Sequence, residues 1–195
     1  MADIPEHVAI RLDALRRALR DPDEIVRANA SKALERLEAI ADLDGLIERF
    51  KNGDHTERIR VIYAFGKIRS EIALKALVYA LRSDDAEVRN TAVRALGDSK
   101  DTRALGPLID LLQQSQDETT QVEILGVLPL FQDERVFTAV QSALKSKNIE
   151  VVDAAIQALG RIGKREAESP LLLVLEKGPA RLRRSAAVAV GDLEV

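Results

Sequence analysis

The sequence predicts an all-α protein, a right-handed α-solenoid (an alpha-alpha superhelix) of six stacked helix pairs, each about 31 residues long. Three observations predict it. Apolar residues recur with one long period, each period holds two apolar ladders with helical spacing, and polar cap residues stand between the ladders at regular intervals.

The first ladder is Leu15, Leu46, Leu77, Leu108, Val140 and Leu171. A second series runs four residues later, through Leu19, Phe50, Leu81, Leu112, Leu144 and Leu175. Residues four apart share a helix face, so each period contains one amphipathic helix, helix A. Further along each period come Ala33, Ala64, Ala95, Val127, Ala158 and Ala189, each followed by a larger apolar residue such as Leu34, Phe65 or Leu96. Three residues earlier lie Ala30, Val61, Ala92, Ile124, Ala155 and Ala186. That spacing defines helix B, whose small residues let the paired helices approach closely. The predicted units are 4–38, 39–69, 70–100, 101–132, 133–163 and 164–195, together one domain over 1–195.

Before each helix B stands Asp23, Asp54, Asp85, Asp117 or Asn148, residue types that accept hydrogen bonds from the free amides of a helix start. The sixth unit has Gly178-Pro179 there, which also breaks the chain. Pro107 and Pro170 fall inside or at the start of helix A, where a kink or a late start is expected. The one extra residue of the fourth period falls in the polar connector Gln113-Gln114-Ser115-Gln116, where insertion is tolerated.

These residues resemble the HEAT-like repeats named after phycobilisome lyases, whose unit reads Asp-Pro-Asp-x-x-Val-Arg-x-x-Ala-x-x-Ala-Leu-Gly. The first unit supplies Asp21-Pro22-Asp23-Glu24-Ile25-Val26-Arg27, and the third runs from Asp84-Asp85-Ala86-Glu87-Val88-Arg89 through Ala95-Leu96-Gly97. The fourth unit departs most, with Gln121 for the Arg and Pro129 for the Gly. The resemblance implies six HEAT-like pairs and says little of activity, because such repeats serve many roles.

Arg27, Arg58, Arg89 and Arg183 share one place in helix B and could form an anion-binding track. The preferred reading is a structural ladder, Asp23, Arg27, Asp54, Arg58, Asp85 and Arg89, in which each guanidinium bonds the turn of its own or the next unit. Such a ladder is structural in the repeats this chain resembles. Gly66, Gly97, Gly160 and Gly191 recur in register with no phosphate-binding motif around them, so close packing near the end of helix B is expected.

Chemistry is hard to find. The two histidines, His7 and His55, lie in different units without a second ligand at helical spacing, and the chain has no cysteine. The His-Glu motifs of di-iron HEAT-repeat proteins are missing, as are the nucleotide-binding and nucleophile-elbow signatures. No metal and no cofactor are expected. With 46% hydrophobic residues but only short apolar runs, no membrane association is expected, and the N-terminus has no export signal, which points to the cytoplasm.

A net charge of -3 disfavours nucleic acid as a partner of the whole molecule. Arg161, Lys164, Arg165, Arg181 and Arg184 nonetheless make a local basic patch, either an electrostatic landing site or a solvated outer face. That segment has no aromatic residue, unlike the aromatic grip of related DNA-repair solenoids.

The core stripe of helix B places Ala28 and Lys32, Ile59 and Tyr63, Asn90 and Arg94, Val122 and Gly126, Asp153 and Gln157, and Arg184 and Val188 on the opposite, concave face. Ile59, Tyr63 and Val122 are apolar where water is expected, and Tyr63 near Arg60, Asn90 and Arg94 has the aromatic–arginine character of binding hot spots. The expected function is a non-catalytic protein-interaction scaffold or adaptor, binding another protein or a peptide through Ile59, Arg60, Tyr63, Asn90, Arg94 and Val122. The alternative, which only the resemblance implies, is a bilin lyase-like or bilin-handling subunit acting with a partner subunit. The last unit ends directly after helix B at Gly191-Asp192-Leu193-Glu194-Val195, so self-association or membership of a larger assembly is also expected there.

Overall fold

A computed structural model describes residues 6–68 and 70–194; the His7 side chain lies outside the described residues. Every regular element among them is helical. The helices are α1 (Glu6–Ala18), α2 (Glu24–Ala41), α3 (Leu43–Asn52), α4 (His55–Lys67), α5 (Glu71–Ala80), α6 (Ala86–Ser99), α7 (Leu105–Gln114), α8 (Glu118–Val127), α9 (Glu134–Ala143), α10 (Ile149–Ile162), α11 (Glu168–Lys177) and α12 (Ala180–Gly191). Odd-numbered helices are the predicted A helices and even-numbered ones the B helices.

The chain divides into two compact units, Met1–Ala80 and Leu81–Val195. The boundary falls inside the third predicted pair, assigning α5 to the first unit and α6 to the second. In the first unit α1 packs on α2, α3 on α4, and α4 also meets α2 and α5. In the second, α8 lies between α6 and α10, α10 meets α12, and α7, α9 and α11 cover α8, α10 and α12. Within each unit the B helices therefore pack on neighbouring B helices, and α2, α4, α8, α10 and α12 also pack on their own A helices, which is the stacking of a helical-repeat fold.

The local reasons for the helices are visible at their starts. Asp23, Asp54, Asp85, Asp117 and Asn148 are N-caps whose side chains accept backbone N–H bonds, as in Ile25 N to Asp23 at 2.7 Å and Glu57 N to Asp54 at 2.8 Å. Pro179 occupies the same place before α12 without a side-chain cap. Pro107 and Pro170 fall on the third residue of α7 and α11, in the first turn, where a missing N–H leaves no bond unmade. Each of these helices is preceded by a single 3-10 turn, Thr102–Ala104 or Arg165–Ala167. Pro129 stands where α6 and α10 have glycine, and there α8 gives way to the 3-10 turn Leu128–Leu130.

The ladders form the cores of the two units. Ala30, Val61, Ala92, Ile124, Ala155 and Ala186 are all buried, as are Leu46, Leu77, Leu108, Val140 and Leu171. Burial thins toward the first and last pairs, where Leu15, Leu34, Leu175 and Val190 are half-buried. In the first unit the edge of Phe50 meets the Phe65 ring at 5.9 Å between centroids.

Two of the recurrent glycines, Gly97 and Gly160, have the expected steric origin, and Gly191 does not. A Cβ on Gly97 would lie 2.6 Å from Cβ of Val127 on α8, and one on Gly160 would lie 2.9 Å from Cα of Ala189 on α12. Around Gly126 and Gly191 the same atom would meet nothing within 4 Å. Gly97→Ala and Gly160→Ala should therefore destabilise the protein by about 1–3 kcal/mol in urea denaturation. Gly126→Ala, relieved of glycine's helix penalty without a clash, should be neutral or stabilising by up to about 1 kcal/mol.

Candidate binding surface

Each B helix has a face opposite the rungs, and packing covers it to different depths. In the first unit it carries Ala28, Lys32 and Arg36 on α2 and Ile59, Arg60, Tyr63 and Lys67 on α4. In the second it carries Asn90 and Arg94 on α6, Val122 and Gly126 on α8, Asp153, Gln157 and Arg161 on α10, and Arg184 and Val188 on α12.

Depth varies along this face. Ile59 is half-buried, whereas Arg60 is exposed and Tyr63 keeps 53% of its surface. Asn90 and Asp153, expected to face solvent, are buried. They stand in the seam between consecutive B helices, where each polar group finds a partner from the next pair. Thr120 Oγ lies 2.7 Å from Asn90 Oδ1, and Asp153 accepts from the Ser185 hydroxyl, from Gln157 Nε2 at 3.3 Å and from Arg181 at 3.5 Å. Val122 is half-buried beside that seam. Arg94 lies further out, its guanidinium 2.8 Å from Glu123 and 3.2 Å from the Thr91 hydroxyl. The open row of the second unit is thus Arg94, Gly126, Gln157 and Val188, the last 66% exposed.

Between α10 and α12 this row contains a shallow depression of about 320 Å³. Gly160, Val188 and Ala189 supply its apolar surface, and Gln157, Arg161 and Asp192 its polar rim. A second depression of about 390 Å³ includes Phe137, Arg161 and Lys164 in its lining. Two of the predicted basic residues thus meet at one hollow. Arg161 donates to the Gly126 carbonyl at 3.1 Å, and the Lys164 ammonium sits 5.8 Å from the centre of the Phe137 ring, a cation–π distance. Arg165 lies 4.0 Å from Glu168, Arg181 is paired with Glu150, and Arg184 is exposed.

The arginines at the shared helix B position turn inward to backbone carbonyls of their own A–B turn. Arg27 donates to Asp21 O and Pro22 O, both at 2.8 Å, Arg58 to Lys51 O at 3.4 Å, and Arg183 to Gly178 O at 3.1 Å. Gln121 makes the same bond with its amide, to Ser115 O at 3.1 Å. Arg89 goes further: it donates to Ser83 O at 2.7 Å, to Thr120 Oγ at 3.0 Å and to the Asp117 cap of the next pair. Burial opposes ionisation of Asp117, but hydrogen bonds from Thr120 and Arg89 outweigh it and hold its carboxyl below the usual range. On the first unit's face, the bond from Lys67 likewise lowers Glu35. Asp133 is drawn down to about 2 by its fork-to-fork pairing with Arg135.

Sequence reasoning passed over Arg36, Glu123 and the Asp153–Ser185 contact. Arg36 was legible as the next turn after Lys32; the other two follow from which B helices touch. Among the described residues, no group of three or more His, Asp or Glu residues is placed to hold a metal ion.

Residues 43–121 and 107–190 match HEAT repeats. The chain belongs to the HEAT-repeat family. No curated protein matches this HEAT-repeat chain at the level of sequence. Among solved structures it is similar to a chain of the CpcE–CpcF complex of phycocyanin lyase from Nostoc sp. PCC7120, with 17% identity, a TM-score of 0.62 and 77% of this chain and 98% of that one covered. It is also similar to a designed armadillo repeat protein in complex with the peptide (KR)4, at 17% identity and TM-score 0.56, covering 94% and 99%. A third likeness is to computationally designed armadillo repeat proteins for modular peptide recognition, at 16% identity and TM-score 0.53, covering 94% and 100%. At such identities the likeness is one of fold, that of HEAT- and armadillo-type helical repeats. No helix among the described residues is long and apolar enough to cross a membrane.

Because Arg89 joins two pairs, Arg89→Ala should cost about 2–3 kcal/mol in chemical denaturation, against roughly 1 kcal/mol for Arg183→Ala, which loses one exposed bond. The Asp117 contribution has a definite sign in pH. Its native pKa is depressed, so the stabilisation is complete above about pH 4 and disappears as pH falls through the native value. The stability gap between wild type and Asp117→Asn, measured by urea titration, should narrow on acidification.

Proposed function

We propose that this HEAT-repeat protein is a non-catalytic scaffold or adaptor that binds a protein or peptide partner on its helix B surface. The observation that carries the reading is the placement of Tyr63 and Val188, each more than half exposed, on the faces opposite the buried rungs. Large apolar side chains in that place have no packing duty within their own unit; beside them Arg60 on α4, and Gln157 and Arg161 at the hollow with Val188, supply the polar contacts that give a partner its orientation.

Two of the structural relatives support a peptide as the partner's form. One is a designed armadillo protein solved with a peptide, and another was computed for peptide recognition. The chain of phycocyanin lyase supports a role beside a second protein subunit, since that structure is itself a complex of two proteins.

Photo-crosslinking in a lysate of the native source tests this reading, with the crosslinker at Arg60 or at Gln157. A discrete adduct that weakens about tenfold or more in Tyr63→Ala and Val188→Glu is expected. Adducts unchanged by both substitutions overturn the surface assignment. A change in visible absorbance on mixing with a linear tetrapyrrole would replace the scaffold by the bilin-handling alternative.

A further inference from the structure

We propose that the first unit's helix B face takes an acidic peptide segment, anchored at Tyr63 and held by Lys32, Arg36 and Arg60; this deepens the scaffold reading and rests on it. The basis is a segregation of charge that the total of -3 conceals. Among Ala28, Asn29, Lys32, Arg36, Ile59, Arg60, Tyr63 and Lys67 on this face four residues are basic, and the acidic residue beside them, Glu35, is taken up by Lys67. All but Ile59 are exposed. The two helices form one surface, because α2 packs on α4 and Lys67 bridges to Glu35 across their contact.

Pairing separates the cations that hold the fold from those that do not. Lys67 is neutralised by Glu35, and Arg27 on α2 is spent on turn carbonyls. Lys32, Arg36 and Arg60 make no hydrogen bond or ion pair with any of the described residues. They share the helix B face with the exposed Tyr63: Arg60 is one turn before it on α4, Lys32 occupies the matching place on α2, and Arg36 follows Lys32 by one turn. Three unneutralised cations on the same face as an exposed aromatic side chain complement carboxylates flanking an apolar side chain.

The surroundings favour a short acidic segment over a continuous polyphosphate. Asp21, Asp23 and Glu24 stand at the start of α2, and Asp54 and Glu57 at the start of α4. A nucleic-acid backbone running along these helices would meet both acidic ends, whereas a peptide can place carboxylates at the cations and stop. The second unit does not share this bias: on its face Arg94 is paired with Glu123, and Asp98 and Asp192 stand at the positions equivalent to Arg36.

The test is fluorescence anisotropy of the full chain with a labelled peptide of repeated Glu-Glu-Phe, beside Gln-Gln-Phe and Lys-Lys-Phe peptides of equal length and a labelled single-stranded oligonucleotide. The acidic peptide should bind, weaken as salt rises, and lose ~tenfold or more of its affinity in a K32E/R36E/R60E variant. A K32Q/R36Q/R60Q variant, with circular dichroism confirming the native helix content of both, should lie between. Absence of acidic-peptide binding, or binding indifferent to these variants, overturns the proposal. Tyr63-dependent binding of the neutral or basic peptide in preference to the acidic one overturns it too, while leaving the scaffold reading intact. Tighter binding of the oligonucleotide through the same three cations overturns it in favour of nucleic acid.

Discussion

The close approach of consecutive B helices is the constraint from which the rest of the second unit follows. Where α6 meets α8 and α10 meets α12, a glycine faces a Val or Ala rung at distances that leave no room for a Cβ. Such contact removes the small rungs from water and sets how far apart neighbouring B helices lie. It also explains why the rungs are Ala so often, although Ala buries little apolar area by itself: a larger side chain there would push the stack apart. The larger apolar residues stand beside the rungs, as Leu96 and Leu159 do, and are fully buried.

Polar groups drawn into this close contact must be satisfied, and the chain does so in two ways. The helix B arginines and Gln121 return to the carbonyls of the preceding turn, joining helix B to the end of its own helix A. At the seam itself Asn90 with Thr120, and Asp153 with Ser185, bond across to the next pair. Arg89 does both at once. It is the clearest place in the second unit where the connection within a pair and the connection between pairs run through one side chain.

Function is left to what the packing does not consume. Arg27, Arg89, Asn90 and Asp153 are already engaged within the fold by turns or seams. What remains on the first unit is a tyrosine among cations, and on the second a more balanced surface with Val188 at its centre. A repeat scaffold thus presents different chemistry along one kind of helix face, because its outward positions are free of the constraint that its rungs obey.

The period, the helix pairs, their capped starts and their buried rungs were all legible in the sequence, because each depends on local spacing and on residue size. The depth of the outward residues was not. Asn90 and Tyr63 occupy matching outward rows one turn apart, and helical periodicity treats both as solvent-facing. Only the contact between adjacent B helices buries the first and leaves the second exposed. The choice of ion-pair partners, Arg94 with Glu123 or Lys67 with Glu35, belongs to the same class, since those residues stand about one repeat apart and meet only once the helices are stacked. Local periodicity determines which side of a helix is apolar; how much of the other side stays open is decided by how closely the next helix comes.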